Sequence, residues 1–341
     1  MANFDDITRK SLEGTSLAFD EAKRAMDAVM DGDASPVRLA AWLTALKFNG
    51  ETPEEIGGCA ASMLEHAIRI NTSRRNPTDI VGTGGDGKNT FNISTAAVFV
   101  AAGAGVNVAK HGNVAASSKS GSADVLKALD VEIDVEPADM ETALDSLGLA
   151  FLFARRLHPA MGRAAAVRKE LGIRTIFNIL GPLCNPAGTE HMVIGVHSER
   201  LLDIFAETAR KLGKKHVIIA RGEDGIDELT TTAPTRIREL RGGEIIEYEF
   251  DAEKHGLPRA SLDDIAGASP KENAALIRRI LDGTETGHPR NIVALNAAAA
   301  ILAAEVAPDW DDALETAFES IASGNARRKL DELAVFTSST R

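Results

Sequence analysis

Asp79-Ile80-Val81-Gly82-Thr83-Gly84-Gly85-Asp86-Gly87-Lys88-Asn89 joins a short apolar run to a glycine-rich loop, and Asn92-Ile93-Ser94-Thr95 then leads into the helix-like run Ala96 to Ala102. Strand, glycine loop and helix in that order predict a βα unit, with the loop at the carboxyl end of its strand. Residues without a Cβ let a backbone approach a phosphate closely, and a following helix N-terminus favours an anion. Two familiar glycine patterns fit only in part. Gly82, Gly84 and Gly87 satisfy G-x-G-x-x-G, yet no carboxylate stands between Ala102 and Lys110, where a ribose-binding acid is expected about twenty residues on. Gly82 to Lys88 matches the start of a P-loop, but Asn89 replaces the required Ser or Thr. A tight turn without a ligand is the plain alternative. The helix is expected to start after Asn92-Ile93-Ser94-Thr95, with Ser94 or Thr95 as its cap.

Outward from the loop, apolar runs alternate with helix-length segments. Candidate strands are Asp79 to Val81, Val106 to Ala109, Leu149 to Ala154, Met192 to Val196 and His216 to Ala220. That rhythm predicts right-handed crossovers and a mainly parallel sheet. Upstream the pattern is helical. Leu39, Trp42, Leu43 and Leu46 fall on one helix face, and Ile56, Cys59, Ala60, Met63 and Ala67 on another. Ser35-Pro36 and Thr52-Pro53-Glu54-Glu55 are start signals for the two helices. The polar stretch Asn71 to Pro77 marks the boundary, giving a helical domain over 1–72 and an α/β domain over 73–341.

Composition narrows the function. The chain has 341 residues and a formal net charge of -12, so its overall field repels nucleic-acid backbones and anionic membranes. Aromatics amount to only 4%, too few for a base-stacking platform. An anionic substrate must therefore be captured locally, by backbone N–H groups, a few cations or a divalent metal. Cys59 and Cys184 lie outside any metal-ligand spacing, which excludes a disulfide framework and fits a reducing, cytoplasmic setting. The first residues, Met1 to Asp6, do not read as a signal peptide. Ile292 to Ala307 is too polar for a membrane span and reads as a buried helix.

Several polar groups gather around the loop in the predicted topology. Asn92, Ser94 and Thr95 stand at a helix start, Lys110-His111-Gly112-Asn113 at the next strand end, and Ser117 to Ser122 at the start of another helix. Both strand ends face the same rim of the sheet. Asp227-Glu228 follows the fifth candidate strand through the acidic, glycine-containing loop Arg221 to Gly225. Adjacent carboxylates are often a solvated turn, but facing a diphosphate they suit magnesium, which shares its shell with water and substrate phosphates.

These segments, with His158-Pro159-Ala160-Met161, Arg168, Leu171 to Asn178, Gly181-Pro182-Leu183 and Asn185-Pro186, resemble the anthranilate phosphoribosyltransferase family, in order along almost the whole chain. The resemblance implies a small helical domain, completed by helices near 165–190, and a large α/β domain of the class seen in pyrimidine nucleoside phosphorylases. It also implies a homodimer formed through the helical part and a step of tryptophan biosynthesis, the joining of anthranilate to the phosphoribosyl group of phosphoribosyl diphosphate. By position, Gly82, Gly85, Asp86, Thr90, Asn92, Ser94, Thr95, Lys110, Ser118 and Ser122 would hold phosphoribosyl diphosphate. Gly82, Asn113 and Arg168 would contact anthranilate, and Ser94, Asp227 and Glu228 would hold Mg2+. Lys110 and His111 are the candidates for a catalytic role. Val114 stands where the family usually has arginine, Ala166 replaces a frequent proline and Cys184 a frequent threonine. A pyrimidine nucleoside phosphorylase, which leaves Asp227-Glu228 unexplained, and a non-catalytic nucleic-acid-binding paralogue, opposed by the net charge, are the competing readings.

Overall fold

The structure, a computed structural model, describes residues 3–114 and 120–340. Four helices open the chain: α1 (Phe4–Leu12), α2 (Phe19–Asp31), α3 (Pro36–Asn49) and α4 (Pro53–Glu65). The start signals act as physical caps where their side chains can reach. Thr52 accepts from the Glu55 amide while Glu55 returns a bond to the Thr52 amide, at 3.3 and 2.8 Å. Ser35 caps α3 without a side-chain bond, leaving Pro36 to set the helical φ.

A seven-stranded sheet follows, in the order β3-β2-β1-β4-β5-β6-β7. Its strands are β1 (Thr78–Gly82), β2 (Val108–Gly112), β3 (Leu149–Phe153), β4 (His191–Gly195), β5 (His216–Gly222), β6 (Thr235–Arg241) and β7 (Glu244–Phe250). The first five are parallel, and β6 and β7 add on antiparallel. The sheet is thus mainly parallel, as the alternation predicts. The expectation for β2 starts too early, because Val106 closes the preceding helical turn by bonding to Ala101 O, and the strand instead runs on through Lys110 and His111. The β6–β7 hairpin has no counterpart among the predicted strands. Its turn, Gly242-Gly243, has φ of 59° and 86°, the left-handed conformations that a two-residue hairpin turn requires.

One face of the sheet, through Ile80, Val108, Val193, Ile218 and Ile237, packs on α5 (Ile93–Gly103) and the later helices, including His288–Ala303, which is buried from Asn291 onward. The opposite face, through Met192, Ile194, Val217 and Ile219, shares one apolar cluster with α1 to α4. Ala164, Val167, Phe177 and Leu180, from the segment between β3 and β4, join that cluster. Among the described residues, no helix is long and apolar enough to cross a membrane.

A polar ladder ties the antiparallel edge down. His216 Nε2 lies 2.8 Å from Glu239 Oε1, Tyr248 donates to Glu239 Oε2 at 2.6 Å, and Trp310 Nε1 donates to the Tyr248 hydroxyl at 3.2 Å. Three strands and a helix are thereby linked. Tyr248→Phe removes a donor to a carboxylate and the acceptor of the indole, so the variant should lose about 1–3 kcal/mol in urea unfolding. Unchanged stability would show that the ladder adds nothing.

Candidate functional site

The glycine loop leaves β1 at the rim where β2, β4 and β5 also end. Gly84, Gly85 and Gly87 have φ of 62°, 87° and 70°, a left-handed run that side chains would strain. At its start, two consecutive residues, Thr83 and Gly84, are fastened from different elements. Thr83 N donates to Gly195 O at 2.9 Å, and its hydroxyl meets His197 Nδ1 at 3.0 Å. Gly84 N donates to Asp227 Oδ2 at 2.6 Å. Arg174 Nη2 donates to Gly84 O at 3.2 Å.

Close approach explains two further glycines. A Cβ on Gly82 would lie 2.7 Å from Asp227 Oδ2, and one on Gly195 would lie 1.7 Å from Asp227 O. Both strand ends must be bare for the Asp227-Glu228 segment to pass. That segment carries one carboxylate to the glycine loop and the other to α5, where the Ser94 amide donates to Glu228 Oε1 at 3.3 Å. The helix N-terminus is a natural place for such an anion.

The cap of α5 differs from expectation. The helix starts at Ile93, with Asn92 as its cap residue, and the Asn92 side chain makes no capping bond. It is drawn away instead. Asn92 Nδ2 donates to Ser120 O, and its Oδ1 accepts from Ser120 Oγ and Asn273 Nδ2, each at 3.0 Å. Ser94 and Thr95 therefore sit inside the first turn, Thr95 buried. Thr90 pairs in an isolated bridge with Ala266, anchoring the far end of the loop.

Lys110 and His111 lie within β2 and are almost wholly buried, 3% and 5% exposed. Lys110 Nζ donates to Ile80 O at 2.6 Å, and the carboxylates of Asp79 and Glu228 oppose the downward pull of burial on its pKa. Asp79 is raised to about 6 by burial, against the pull of Lys110 and of Asn185 Nδ2, which donates to it at 2.8 Å. His111 is held down at about 3 by burial and by neighbouring His158, whose ring centre is 5.1 Å away. Its Nδ1 faces Gly181 O at 3.2 Å, so Nδ1 carries the proton and Nε2 is left as a buried acceptor without a partner among the described residues. His111 is a neutral ring throughout the physiological range.

The carboxylates at the rim carry excess negative charge. Asp227 is pushed well above the usual range by burial, by Glu228 and by Asp86. Glu228 is raised to about 7 by burial, which Lys110 and the Ser94 amide only partly offset. Among the described residues, no three His, Cys, Asp or Glu side chains form a metal cage. Two half-buried carboxylates and the Ser94 hydroxyl form an open set of hard oxygen donors, which fits a magnesium ion that takes its other ligands from water and phosphate.

Other predicted positions are placed as follows. The Asn113 carbonyl accepts from Ser122 Oγ at 3.1 Å and from the Ala123 amide at 3.2 Å, joining the end of β2 to the next helix. Arg168, on the helix Gly162–Leu171, lies with its guanidinium 5.0 Å from the Phe177 ring centre. Ser118 lies outside the described residues. Arg174, His197, Asp79 and Asn185 have no role in the sequence reading. Arg174 stands inside a stretch quoted there for its resemblance, but only the fold shows that it reaches the glycine loop.

The bundle, the sheet and this anion-seeking rim define a glycosyl transferase. Residues 5–67 match the helical bundle domain of the glycosyl transferase family and residues 74–327 its a/b domain. An anthranilate phosphoribosyltransferase of Acetivibrio thermocellus is 47% identical over 330 residues, 97% of this chain and 95% of that protein. The crystal structure of the Thermus thermophilus anthranilate phosphoribosyltransferase superposes with a TM-score of 0.93 at 45% identity, covering 98% of this chain and 99% of that one. The Saccharomyces cerevisiae enzyme in complex with PRPP and Mg gives 0.90 at 28% identity, with 98% of both chains covered. The chain belongs to the anthranilate phosphoribosyltransferase family.

Proposed function

We propose that the protein transfers the phosphoribosyl group of 5-phosphoribosyl 1-diphosphate to anthranilate, releasing diphosphate, in tryptophan biosynthesis. The observation that carries this reading is the pairing of Asp227 and Glu228 with the Gly84 and Ser94 amides beside Lys110. Gly82, Gly85, Asp86, Thr90, Asn92, Ser94, Thr95, Lys110, Ser118 and Ser122 hold the diphosphate substrate, and Gly82, Asn113 and Arg168 hold anthranilate. Ser94, Asp227 and Glu228 would hold magnesium, which would supply positive charge to neutralise the departing diphosphate.

In the reaction the anthranilate nitrogen forms a bond to the ribosyl C1, the bond from C1 to the diphosphate oxygen breaks, and the amine gives up a proton. The loop amides and Lys110 stabilise the leaving group through charge-assisted hydrogen bonds. Arg168 aligns the weak nucleophile through its carboxylate. His111 is the proposed relay for the amine proton through its buried Nε2, which has no partner among the described residues; as the weak base that burial makes it, it would pass the proton on rather than hold it.

A nucleoside phosphorylase has no use for the acidic pair. The helical part is proposed to form the homodimer interface. Its support is the exposed apolar stripe of α3, where Val37 and Phe48 are 80% and 92% exposed, large side chains that a second copy would cover. Two buried free thiols, Cys59 and Cys184, suit the proposed cytoplasmic location. Mixing the protein with anthranilate, phosphoribosyl diphosphate and magnesium should extinguish anthranilate fluorescence. No loss at any enzyme concentration would sink the reading.

Val114 bears on substrate affinity. It is half-buried and packs against the core of the large domain, so the loop brings no cation at this position. Val114→Arg should lower the KM for phosphoribosyl diphosphate by about tenfold, the value of one charge-assisted bond. An unchanged KM would mean that another group already supplies the charge.

A further inference from the structure

We infer that Arg174 is a positioning residue for the diphosphate substrate: it clamps the glycine loop from the helical side and holds its amides in their left-handed array. The inference rests on the transferase reading above. Its ground is geometric. Arg174 Nη2 donates to Gly84 O at 3.2 Å, and Arg174 Nη1 occupies the space beside Gly85, where an added Cβ would come within 1.8 Å of it. The guanidinium therefore lies against the bare Cα of a residue whose φ is 87°. A planar fork fits that position, and the single point charge of a shorter, flexible ammonium reproduces only part of it.

The peptide it grips is the one whose other contacts fix the loop. Thr83, one residue back, is bound to Gly195 and His197, and the Gly84 amide is bound to Asp227. Arg174 is the only one of these contacts that comes from the segment between β3 and β4. Its positive charge also acts on His197, as do Lys47 of α3 and Arg221, while Asp86 of the loop acts on the same ring in the opposite sense.

The same segment carries the anthranilate side of the site. Arg174 follows the helix bearing Arg168 after the left-handed Gly172, with φ of 63°. It precedes Thr175, whose amide donates to Asn178 Oδ1 at 2.9 Å, and Phe177, on which Arg168 rests. One short stretch thus fixes the guanidinium that aligns the nucleophile and the guanidinium that shapes the loop for the electrophile. Arg174 touches no reacting atom, so its loss should act on substrate affinity more than on the chemical step.

The test compares the wild-type enzyme with Arg174→Ala, Arg174→Lys and Arg174→Gln. With magnesium and anthranilate saturating, Arg174→Ala is expected to raise the KM for phosphoribosyl diphosphate by about tenfold or more while kcat falls less than about threefold and the KM for anthranilate stays within about twofold. Arg174→Lys, which keeps the charge and most of the reach but not the fork, should recover part of the affinity, and Arg174→Gln, shorter and uncharged, less. Calorimetric titration of phosphoribosyl diphosphate with magnesium gives the same ranking without turnover. Should Arg174→Ala fail to fold, Arg174→Gln and Arg174→Lys carry the comparison. A wild-type enzyme that turns over beside variants with unchanged KM overturns the inference alone. Loss of kcat with KM unchanged also overturns it, since that is the mark of a general structural role. A wild-type protein that neither binds phosphoribosyl diphosphate nor consumes anthranilate removes the transferase reading and the inference with it.

Discussion

Glu228→Gln is expected to lower magnesium-dependent turnover by about 100-fold or more, while making the metal-free protein more stable at pH 8. The two effects have one origin. Glu228 is held at about 7 in the folded chain against a reference value of 4.5, so between those values the folded state binds more protons than the unfolded one. Stability from this residue is therefore present at low pH, is lost as pH rises towards 7, and is level above it. Glutamine does not ionise and abolishes that slope. The gain at pH 8 should be on the order of 1–2 kcal/mol, allowing for water that reaches the half-buried carboxylate. Urea unfolding at pH 5 and pH 8 without metal measures it. Added magnesium should then stabilise the wild type at pH 8 and have little effect on the variant, because only the former has a site for it. An equal response of both proteins to magnesium would place the metal elsewhere. Asp227, raised by burial, by Glu228 and by Asp86, should respond to Asp227→Asn in the same direction.

Lys110→Met should behave in the opposite way on stability. The ammonium is the cation between Asp79 and Glu228; Asp79 and Lys110 are buried and Glu228 is half-buried. Removing it leaves two carboxylates without their positive partner, which costs about 3–5 kcal/mol for a broken buried ion set. Both carboxyls are pushed further up, so the loss should be smaller at pH 5, where protonation relieves them, than at pH 8. Turnover should fall about 100-fold, as expected when a preorganised donor to the leaving group is removed. A variant as stable as the wild type at pH 8 would show that Lys110 is not the compensating charge. The pair of substitutions separates two proposed uses of charge in one site: Glu228 as a destabilising group kept for its ligand, and Lys110 as a group that stabilises the fold and serves the chemistry.

The sequence made the fold legible where residue type and backbone demand coincide. Gly82 to Gly87 announced a strand-to-loop transition because left-handed φ values leave little choice but glycine. The five parallel strands were visible as apolar runs because a sheet covered on both faces has no polar face to alternate. β6 and β7 escaped the same reading for the converse reason. Thr235 to Phe250 is rich in Arg and Glu, and only its alternating pattern around Gly242-Gly243 carried a hairpin signal. The cap of α5 was misjudged because Asn92 is claimed by Ser120 and Asn273, the latter 181 residues away, and no local pattern reports such competition.

The candidate site shows the same division. Lys110, Ser94, Asp227 and Glu228 could be assembled from short motifs, since topology sends successive strand ends to one rim. Their energetics could not. That Lys110 is held by Ile80 O, that His111 is a neutral ring, and that Asp79 and Asn185 support the strand end from behind are properties of burial and distance. Arg174 is the sharpest case. Its neighbours in sequence gave it no role, and its neighbour in space is a peptide ninety residues earlier.

The apolar cluster shared by α1 to α4 and the underside of the sheet has a consequence for how the molecule comes apart. α4 lies on the helix Glu199–Lys211, and Cys184 Sγ points at Ala60 O and Met63 Sδ. The boundary near residue 72 is therefore a turning point in the path of the chain and no seam in its cooperativity. A fragment starting at residue 73 would present to water the greasy surface that α4 now covers, and would aggregate before it could act. The bundle and the sheet share one apolar cluster and are expected to melt together.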